Sequence, residues 1–266
     1  MTAGFVHVLL TRFNVRVGYG AAAWRGADED WLETRLALFD AFCYPSVRAQ
    51  TARFRWLVFV DAETPEPFRR RLESYDGATV VYVSGRLADE RIAEAVVEHV
   101  ELDAPHLITT RLDNDDAIGD TYLERVQRTF RGQELEFVNL PLGYEWHAGR
   151  LYHRVSRSNT FISLVERVPR SGERPRTVHC APHTDLRSVA PIRQVVAPPL
   201  WLVTIHGGNA ANRQLGIRRL RRGVPPAFRR QGDLRLVDEG LAPAGADLAR
   251  STGRLLTAPL SRLERR

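Results

Sequence analysis

The chain has 266 residues, 44% of them hydrophobic, enough to bury a core in one large domain or in one domain with an appendage. This composition excludes a disordered or a fibrous protein. The longest apolar runs, 56–60 and 200–205, are far shorter than the roughly 20 residues of a membrane-spanning helix, so we expect a soluble protein.

The formal charge of +6 comes from arginine alone, because the sequence contains no lysine. Positive charge is densest between Arg213 and Arg230, which indicates either a solvated tail or a patch for acidic lipid headgroups or a phosphorylated acceptor. The two cysteines, Cys43 and Cys180, lie far apart, as is typical of free thiols in a reducing compartment. We therefore expect a cytoplasmic protein, which the arginines could hold peripherally at the inner face of the plasma membrane.

Residues 5–132 contain four predicted units of a strand followed by a helix. The predicted strands are 5–10, 54–60, 79–83 and 106–112. The first strand is apolar, but no basic segment precedes it and no cleavage site follows it, so we do not expect a secretory signal. The first helix follows an N-cap at Asp28 and ends near Pro45; the second begins at Thr64 and Pro65. This alternation predicts an α/β fold with a doubly wound, mostly parallel sheet.

After Gln133 the pattern changes to shorter strand-like pieces. These pieces are 135–140, 150–155, 161–165 and 200–205. We expect them to complete the sheet and to form a smaller β region. From Gly223 onward proline, glycine, alanine and arginine dominate, which predicts a loosely packed or partly disordered arginine-rich C-terminal tail. The predicted organisation is a domain of residues 1–222 and an extension of residues 223–266.

Carboxylates crowd the end of the fourth predicted strand, in the segment 109–118. In an extended chain Asp113 and Asp115 would face the same way, forming a site for Mg²⁺ or Mn²⁺ that also takes substrate phosphates. Arg111 could add a bidentate contact to these phosphates. The alternative interpretation is a turn that caps the following helix. The position at the carboxyl end of a parallel strand favours the metal site.

Four segments resemble, in order, the rhamnosyltransferase family of GT-A-fold glycosyltransferases: residues 7–14, 54–61, 110–118 and 201–209. The resemblance spans roughly residues 5–215, and the Arg-Leu-Asp-Asn-Asp-Asp-Ala-Ile stretch is its most specific part. It implies a GT-A-like (Rossmann-like) fold whose half 1–132 binds a nucleotide-sugar and whose half 133–222 receives the acceptor.

The resemblance also implies residue roles. Thr11, Arg12 and Asp61 would hold the nucleoside, and Asp113 and Asp115 would hold ribose and metal. Many members add a late histidine as a metal ligand. We favour His206, because it lies between a strand and two glycines.

A second histidine-bearing segment, 178–185, competes for this role through His183. This segment could instead be a zinc site, although it lacks paired Cys-x-x-Cys spacing. The reaction also needs a general base, which is usually a carboxylate. Glu145, Glu166 and Asp185 are the candidates in the second half, and Asp185 is preferred.

The expected enzyme is a metal-dependent glycosyltransferase that uses a dTDP- or UDP-sugar, dTDP-rhamnose being one donor, and a glycan or glycolipid acceptor. An inverting reaction is expected. One alternative is a sugar-phosphate nucleotidyltransferase, but a glycine-rich phosphate loop does not follow the first strand. The other is a nucleic-acid-binding protein, suggested by a pI near 9.9; the acidic cluster and the absence of lysine make nucleic acid an unexpected partner.

Overall fold

The computed structural model describes residues 4–17, 26–169, 173–207, 214–220, 223–231, 236 and 241–256. Its strands are β1 Phe5–Arg12, β2 Arg55–Asp61, β3 Ala78–Val83, β4 His106–Asp113, β5 Ala117–Ile118, β6 Leu135–Asn139, β7 Leu142–His147, β8 Arg150–Val155, β9 Ser163–Arg167, β10 Ile192–Gln194, β11 Trp201–Ile205 and β12 Ile217–Arg218. The helices are α1 Glu29–Leu38, α2 Tyr44–Arg48, α3 Glu66–Glu73, α4 Asp89–His99, α5 Tyr122–Gln127 and α6 Leu241–Leu256. A π-helical segment, Phe39–Cys43, joins α1 to α2, and two 3-10 helices span Leu186–Ser188 and Pro226–Gln231.

The larger sheet has seven strands in the order β10-β6-β9-β4-β1-β2-β3. The first four strands of the chain pair in parallel, with β1 between β2 and β4. Strand β9 runs antiparallel to its neighbours β4 and β6. The predicted mostly parallel sheet is confirmed, and the carboxyl ends of β1, β2 and β4 lie at one edge.

Helices cover both faces of this sheet, because side chains of successive strand residues point to opposite sides. Helices α1, α3 and α5 pack on the face that contains Leu9 and Leu112. Helix α4 and part of the segment 178–190 pack on the other face, with Leu10 and Leu107. The fold is therefore doubly wound, as predicted.

A second sheet has five strands in the order β12-β8-β7-β11-β5. Strand β7 was not predicted, since glycine and charged residues interrupt its apolar pattern. Its Gly143 lies against the indole of Trp201, and a Cβ at this position would be 2.0 Å from Trp201 Cδ2. Close packing at Gly143 thus lets Trp201 enter the core of the first sheet.

The first helical region was predicted to end near Pro45, and it ends at Arg48. Asp28 caps α1 as predicted, accepting a hydrogen bond from Trp31 N at 2.9 Å. Pro45 lies in the first turn of α2, where a helix does not use the missing N–H. The π-helical segment Phe39–Cys43 precedes α2 and shifts the helical hydrogen-bond register before Pro45.

The described part of the C-terminal extension is ordered against the second sheet, so the expected loose tail is wrong for these residues. Phe228 is buried with Tyr144 in the core of this sheet. In α6, Ser251 accepts a hydrogen bond from Arg218 N at 3.0 Å, and Asp247 accepts one from the Tyr152 hydroxyl at 2.6 Å. Helix α6 is therefore part of the folded unit.

Candidate active site

The acidic segment at the end of β4 forms a turn. Asp116 N donates to Asp113 O at 3.3 Å, and the short strand β5 follows. The predicted alternation of an extended chain therefore does not apply to residues 113–116. Asp113 and Asp115 instead have separate sets of partners on opposite sides of the sheet edge.

Asp113 is held between two guanidiniums. Arg12, its partner across the β1–β4 pair, donates to Oδ1 at 2.9 Å, and Arg111 donates to Oδ2 at 3.0 Å. Although burial acts in the opposite direction, the positive charges of Arg111 and Arg12 hold the pKa of Asp113 well below its usual range. Asp113 is therefore ionised at neutral pH, and each of its carboxylate oxygens accepts a hydrogen bond from an arginine.

Asp115 has a different environment, between helix α1 and the end of β11. Its Oδ2 accepts a hydrogen bond from Arg35 Nη1 at 2.7 Å and lies 3.0 Å from His206 Nε2. Its backbone carbonyl accepts a hydrogen bond from the Thr204 hydroxyl at 2.6 Å. The structure therefore brings together Asp115 and His206, two residues that lie 91 positions apart.

The other two residues of the turn stabilise its shape. Asp116 Oδ1 accepts a hydrogen bond from Thr204 N at 2.9 Å, and the Asn114 amide donates to Phe13 O. Burial and the charges of Asp115 and Asp113 raise the pKa of Asp116 well above its usual range. These bonds tie β4 to β11 and to the end of β1.

The side chains present at Asp115 and His206 fit a divalent cation. Two ligands at right angles on an octahedral ion, with bonds of about 2.1 Å, lie about 3 Å apart, as these two atoms do. Asp113 is held by an arginine at each of its two oxygens, whereas Asp115 Oδ2 lies between Arg35 and His206. In the part of the chain that the structure describes, no three His, Cys, Asp or Glu side chains form a metal cluster. Water and substrate phosphates would have to complete the coordination.

A cavity of about 300 Å³ opens beside Arg12, on the α4 face of the sheet. Its lining includes Arg86, Asp89 and His179. The His179 side chain is buried, and its Nε2 has no hydrogen-bond partner among the described residues. Burial, reinforced by Arg12 and Arg111, lowers the pKa of His179 well below its usual range, so the imidazole is neutral. The cavity therefore combines guanidinium, carboxylate and imidazole groups.

Sequence analysis missed three residues of this edge, Arg35, Arg86 and His179. Arg86 follows a Ser-Gly pair after β3, which is a turn signal at the same edge. His179 lies in the segment considered for zinc, but in the structure it lines the cavity beside Arg12. Nothing in the local sequence around Arg35 distinguishes it from other arginines on exposed helix faces.

Two predicted nucleoside contacts have different surroundings. Thr11 is fully buried, and its hydroxyl accepts a hydrogen bond from Trp56 Nε1 at 3.0 Å, so its side chain cannot reach a ligand. The Thr11 prediction is therefore wrong for the side chain. Asp61 is also buried but lies at the sheet edge, where Arg16 Nε approaches its Oδ2 at 3.3 Å. The contact of Asp61 with the nucleoside therefore stays a prediction.

Of the three candidate bases, Glu166 is excluded by its position. It pairs with Leu107 near the amino end of β4, six residues and about 20 Å along the strand from Asp113. Its carboxylate accepts hydrogen bonds from Arg176 N and Thr177 N at 2.8 and 2.9 Å. Glu166 is therefore a structural residue.

Glu145 is buried and engaged by Arg154, by Leu215 N and by Gly216 N. Asp185 is exposed. Its negative charge acts on His183, which also interacts electrostatically with Arg111 and Asp113. Of the three predicted bases, Asp185 is the exposed one, and its charge acts on the same histidine as that of Asp113.

The arginine-rich region gives limited support for a membrane patch. Arg218 and Arg219 are buried, and they donate to Leu151 O and Gly223 O. Arg213, Arg221 and Arg222 lie outside the described residues, as do Gly208 and Asn209 of the predicted phosphate loop. No described helix has the length and apolar character needed to cross a bilayer.

Comparison with solved structures gives distant matches. TarS 1-349 of S. aureus is 9% identical over 75% of this chain and 60% of its own, with a TM-score of 0.42. The structure of TarS 1-349 in complex with UDP is 10% identical over 97% of this chain and 73% of its own, with a TM-score of 0.40. The first match thus spans less than two thirds of that relative. No curated protein sequence matches the chain.

Comparison with protein families gives a match over most of the chain. The model of the family described as "Putative rhamnosyl transferase" matches residues 7–218, which include β1, the acidic turn and β11. The match covers both the Arg12–Asp113 pair and the Asp115–His206 pair. The chain therefore belongs to this rhamnosyl transferase family.

Proposed function

We propose that this protein is a nucleotide-sugar glycosyltransferase, that it is metal-dependent and inverting, and that it transfers L-rhamnose from dTDP-rhamnose to a glycan or glycolipid acceptor. The observation that carries the metal dependence is the 3.0 Å approach of Asp115 Oδ2 and His206 Nε2 at the carboxyl edge of the parallel sheet. In open α/β sheets, ligands bind outside this edge.

The two sides of the edge suit two parts of a nucleotide-sugar. One side is a cavity of about 300 Å³, lined in part by Arg12, Arg86, Asp89 and the neutral His179. This mixture of hydrogen-bond donors and acceptors suits a nucleoside. Asp113 keeps Arg12 and Arg111 oriented and charged at the boundary of this cavity. The diphosphate would then extend from the cavity toward Asp115.

Asp115 and His206 would hold a divalent cation, which supplies Lewis-acid stabilisation of the diphosphate leaving group. The protein fixes the geometry of this site through Thr204. This residue hydrogen-bonds to both Asp115 and Asp116 and so holds β11 against the turn that follows β4. Asp185 is our proposed base for the acceptor hydroxyl, since it is exposed and its charge acts on His183, as that of Asp113 does.

Isothermal calorimetry tests this proposal with dTDP, UDP and GDP, each with and without Mn²⁺. We expect dTDP to bind more tightly in the presence of Mn²⁺, and we expect Asp115→Ala to weaken that binding by a factor of about 10 to 100. Asp76→Ala is the control, because Asp76 forms an exposed ion pair with Arg48. Equal Mn²⁺ effects in the Asp115 variant and the wild type would refute the metal site, and tighter binding of UDP or GDP would refute the dTDP donor.

A further inference from the structure

Arg35 shares one carboxylate oxygen with the proposed metal site. Its Nη1 lies 2.7 Å from Asp115 Oδ2, the same atom that lies 3.0 Å from His206 Nε2. The side chains of Arg35, Asp115 and His206 are 14, 11 and 18% exposed, so water screens their interaction only partly. A cation that bound this oxygen would therefore lie close to the guanidinium of Arg35.

Helix α1 fixes the position of Arg35. Leu32 and Leu36, one on each side of it in the helix, are fully buried in the core. The guanidinium lies over the ring of Trp31, with its carbon 4.9 Å from the ring centroid. It also lies 3.4 Å from Asn114 Oδ1. The guanidinium therefore has contacts on both sides that hold it at Asp115.

We propose that Arg35 is a positioning residue that makes cation binding depend on the nucleoside diphosphate. This inference rests on the proposed function, because it assumes the metal site at Asp115 and His206. Without nucleotide, Arg35 neutralises Asp115 and repels a divalent cation, since both positive groups would lie within about 5 Å of each other. A diphosphate accepts hydrogen bonds from the guanidinium and coordinates the cation at the same time, which removes the conflict.

The proposal predicts reciprocal coupling between Mn²⁺ and nucleotide. By linkage, the factor by which the diphosphate strengthens Mn²⁺ binding equals the factor by which Mn²⁺ strengthens diphosphate binding. Arg35→Met removes the charge and keeps an apolar side chain against Trp31. We expect the variant to bind Mn²⁺ alone about tenfold more tightly than the wild type, and to lose about tenfold in the coupling factor.

The experiment titrates the full chain with Mn²⁺ and follows the electron paramagnetic resonance signal of free Mn²⁺, with and without dTDP, UDP or GDP. Arg70→Met is the matched control, since Arg70 forms an exposed helical ion pair with Glu66 and is expected to leave both affinities unchanged. Thermal unfolding checks the fold of each variant. Arg35→Gln provides the same comparison if the methionine variant is unfolded.

Tighter Mn²⁺ binding without nucleotide, together with reduced coupling, would support the role of Arg35. Unchanged Mn²⁺ affinity in the Arg35 variants, including no binding in any variant, would overturn it. Nucleotide binding by the wild type without metal is measured in parallel by calorimetry. The nucleotide-sugar site can therefore stand even where the role of Arg35 fails.

Discussion

His7 is a buried histidine in the first half of β1, away from the carboxyl edge. Its Nε2 lies 2.8 Å from Thr110 Oγ1, and its Nδ1 lies 3.1 Å from Gln127 Nε2. Burial lowers the pKa of His7 from 6.5 to about 3. The folded protein therefore keeps this imidazole neutral at pH values where the unfolded chain binds a proton.

Acid should destabilise the protein through His7. As the pH falls below about 6.5, the unfolded state gains a proton that the folded state does not bind, so the free energy of unfolding decreases by about 1.4 kcal/mol per pH unit until the folded pKa is reached. We expect the His7→Gln variant to lose this decrease in the free energy of unfolding between pH 6 and pH 4, as measured by urea unfolding. His99→Gln, on the surface of α4, is the control. Parallel slopes for His7→Gln and the wild type would contradict the prediction.

The candidate residues that the sequence offers are those whose chemistry is visible in the sequence itself. Asp115 and His206 carry oxygen and nitrogen ligand atoms and lie after strands, and the structure places these two side chains 3.0 Å apart. The arginine partners of Asp113 and Asp115 could not be chosen among 38 basic residues, because those contacts depend on register and on helix placement.

At the scale of elements, Trp201 of β11 packs into the core of the first sheet, and Gly143 of the neighbouring strand β7 leaves room for its indole. The indole of Trp201 lies directly over Gly143, and its ring stacks with Phe161 at a centroid distance of 5.3 Å. Trp201 Nε1 also donates to Leu140 O at 2.7 Å. The indole is therefore held on several sides and cannot move away from a larger residue at position 143.

Gly143→Ala should destabilise the fold strongly. The added Cβ would lie 2.0 Å from a ring atom of Trp201, so either the ring or strand β7 must shift, which we expect to cost about 1–3 kcal/mol or more. The measurement is equilibrium urea unfolding. Gly245→Ala in α6 is the control, because a Cβ there has no neighbour within 4 Å and alanine favours a helix. A cost below about 0.5 kcal/mol for Gly143→Ala would contradict this packing.

At the scale of the whole molecule, helix α6 closes the second sheet through Asp247. This carboxylate accepts a hydrogen bond from the Tyr152 hydroxyl at 2.6 Å and lies 3.5 Å from Arg218 Nε. Burial and the hydrogen bond to Asp247 raise the pKa of Tyr152 to about 12, so the phenol remains a donor at neutral pH. The C-terminal helix thus neutralises a buried arginine of β12.

Removing this contact should weaken the whole fold. Asp247→Ala leaves the Tyr152 hydroxyl and the Arg218 guanidinium without this acceptor, and we expect a loss of about 1–3 kcal/mol in the free energy of unfolding. Arg250→Ala is the control: its ion pair with Asp247 is 3.7 Å long and its side chain is 68% exposed, so we expect little change. If both variants unfold at the same urea concentration as the wild type, α6 does not contribute to stability.

The amino-acid sequence was enough to predict the doubly wound sheet, the edge that carries the candidate site and the carboxylate and histidine side chains proposed for it. These follow from local periodicity and from the rule that parallel strands present their carboxyl ends together. The three-dimensional contacts were needed to learn that Asp113 and Asp115 have different partners, that Thr11 is buried, that Glu166 lies far from Asp113 and that α6 packs on the second sheet. Each of these depends on contacts between residues far apart in the chain, for which local sequence carries no signal.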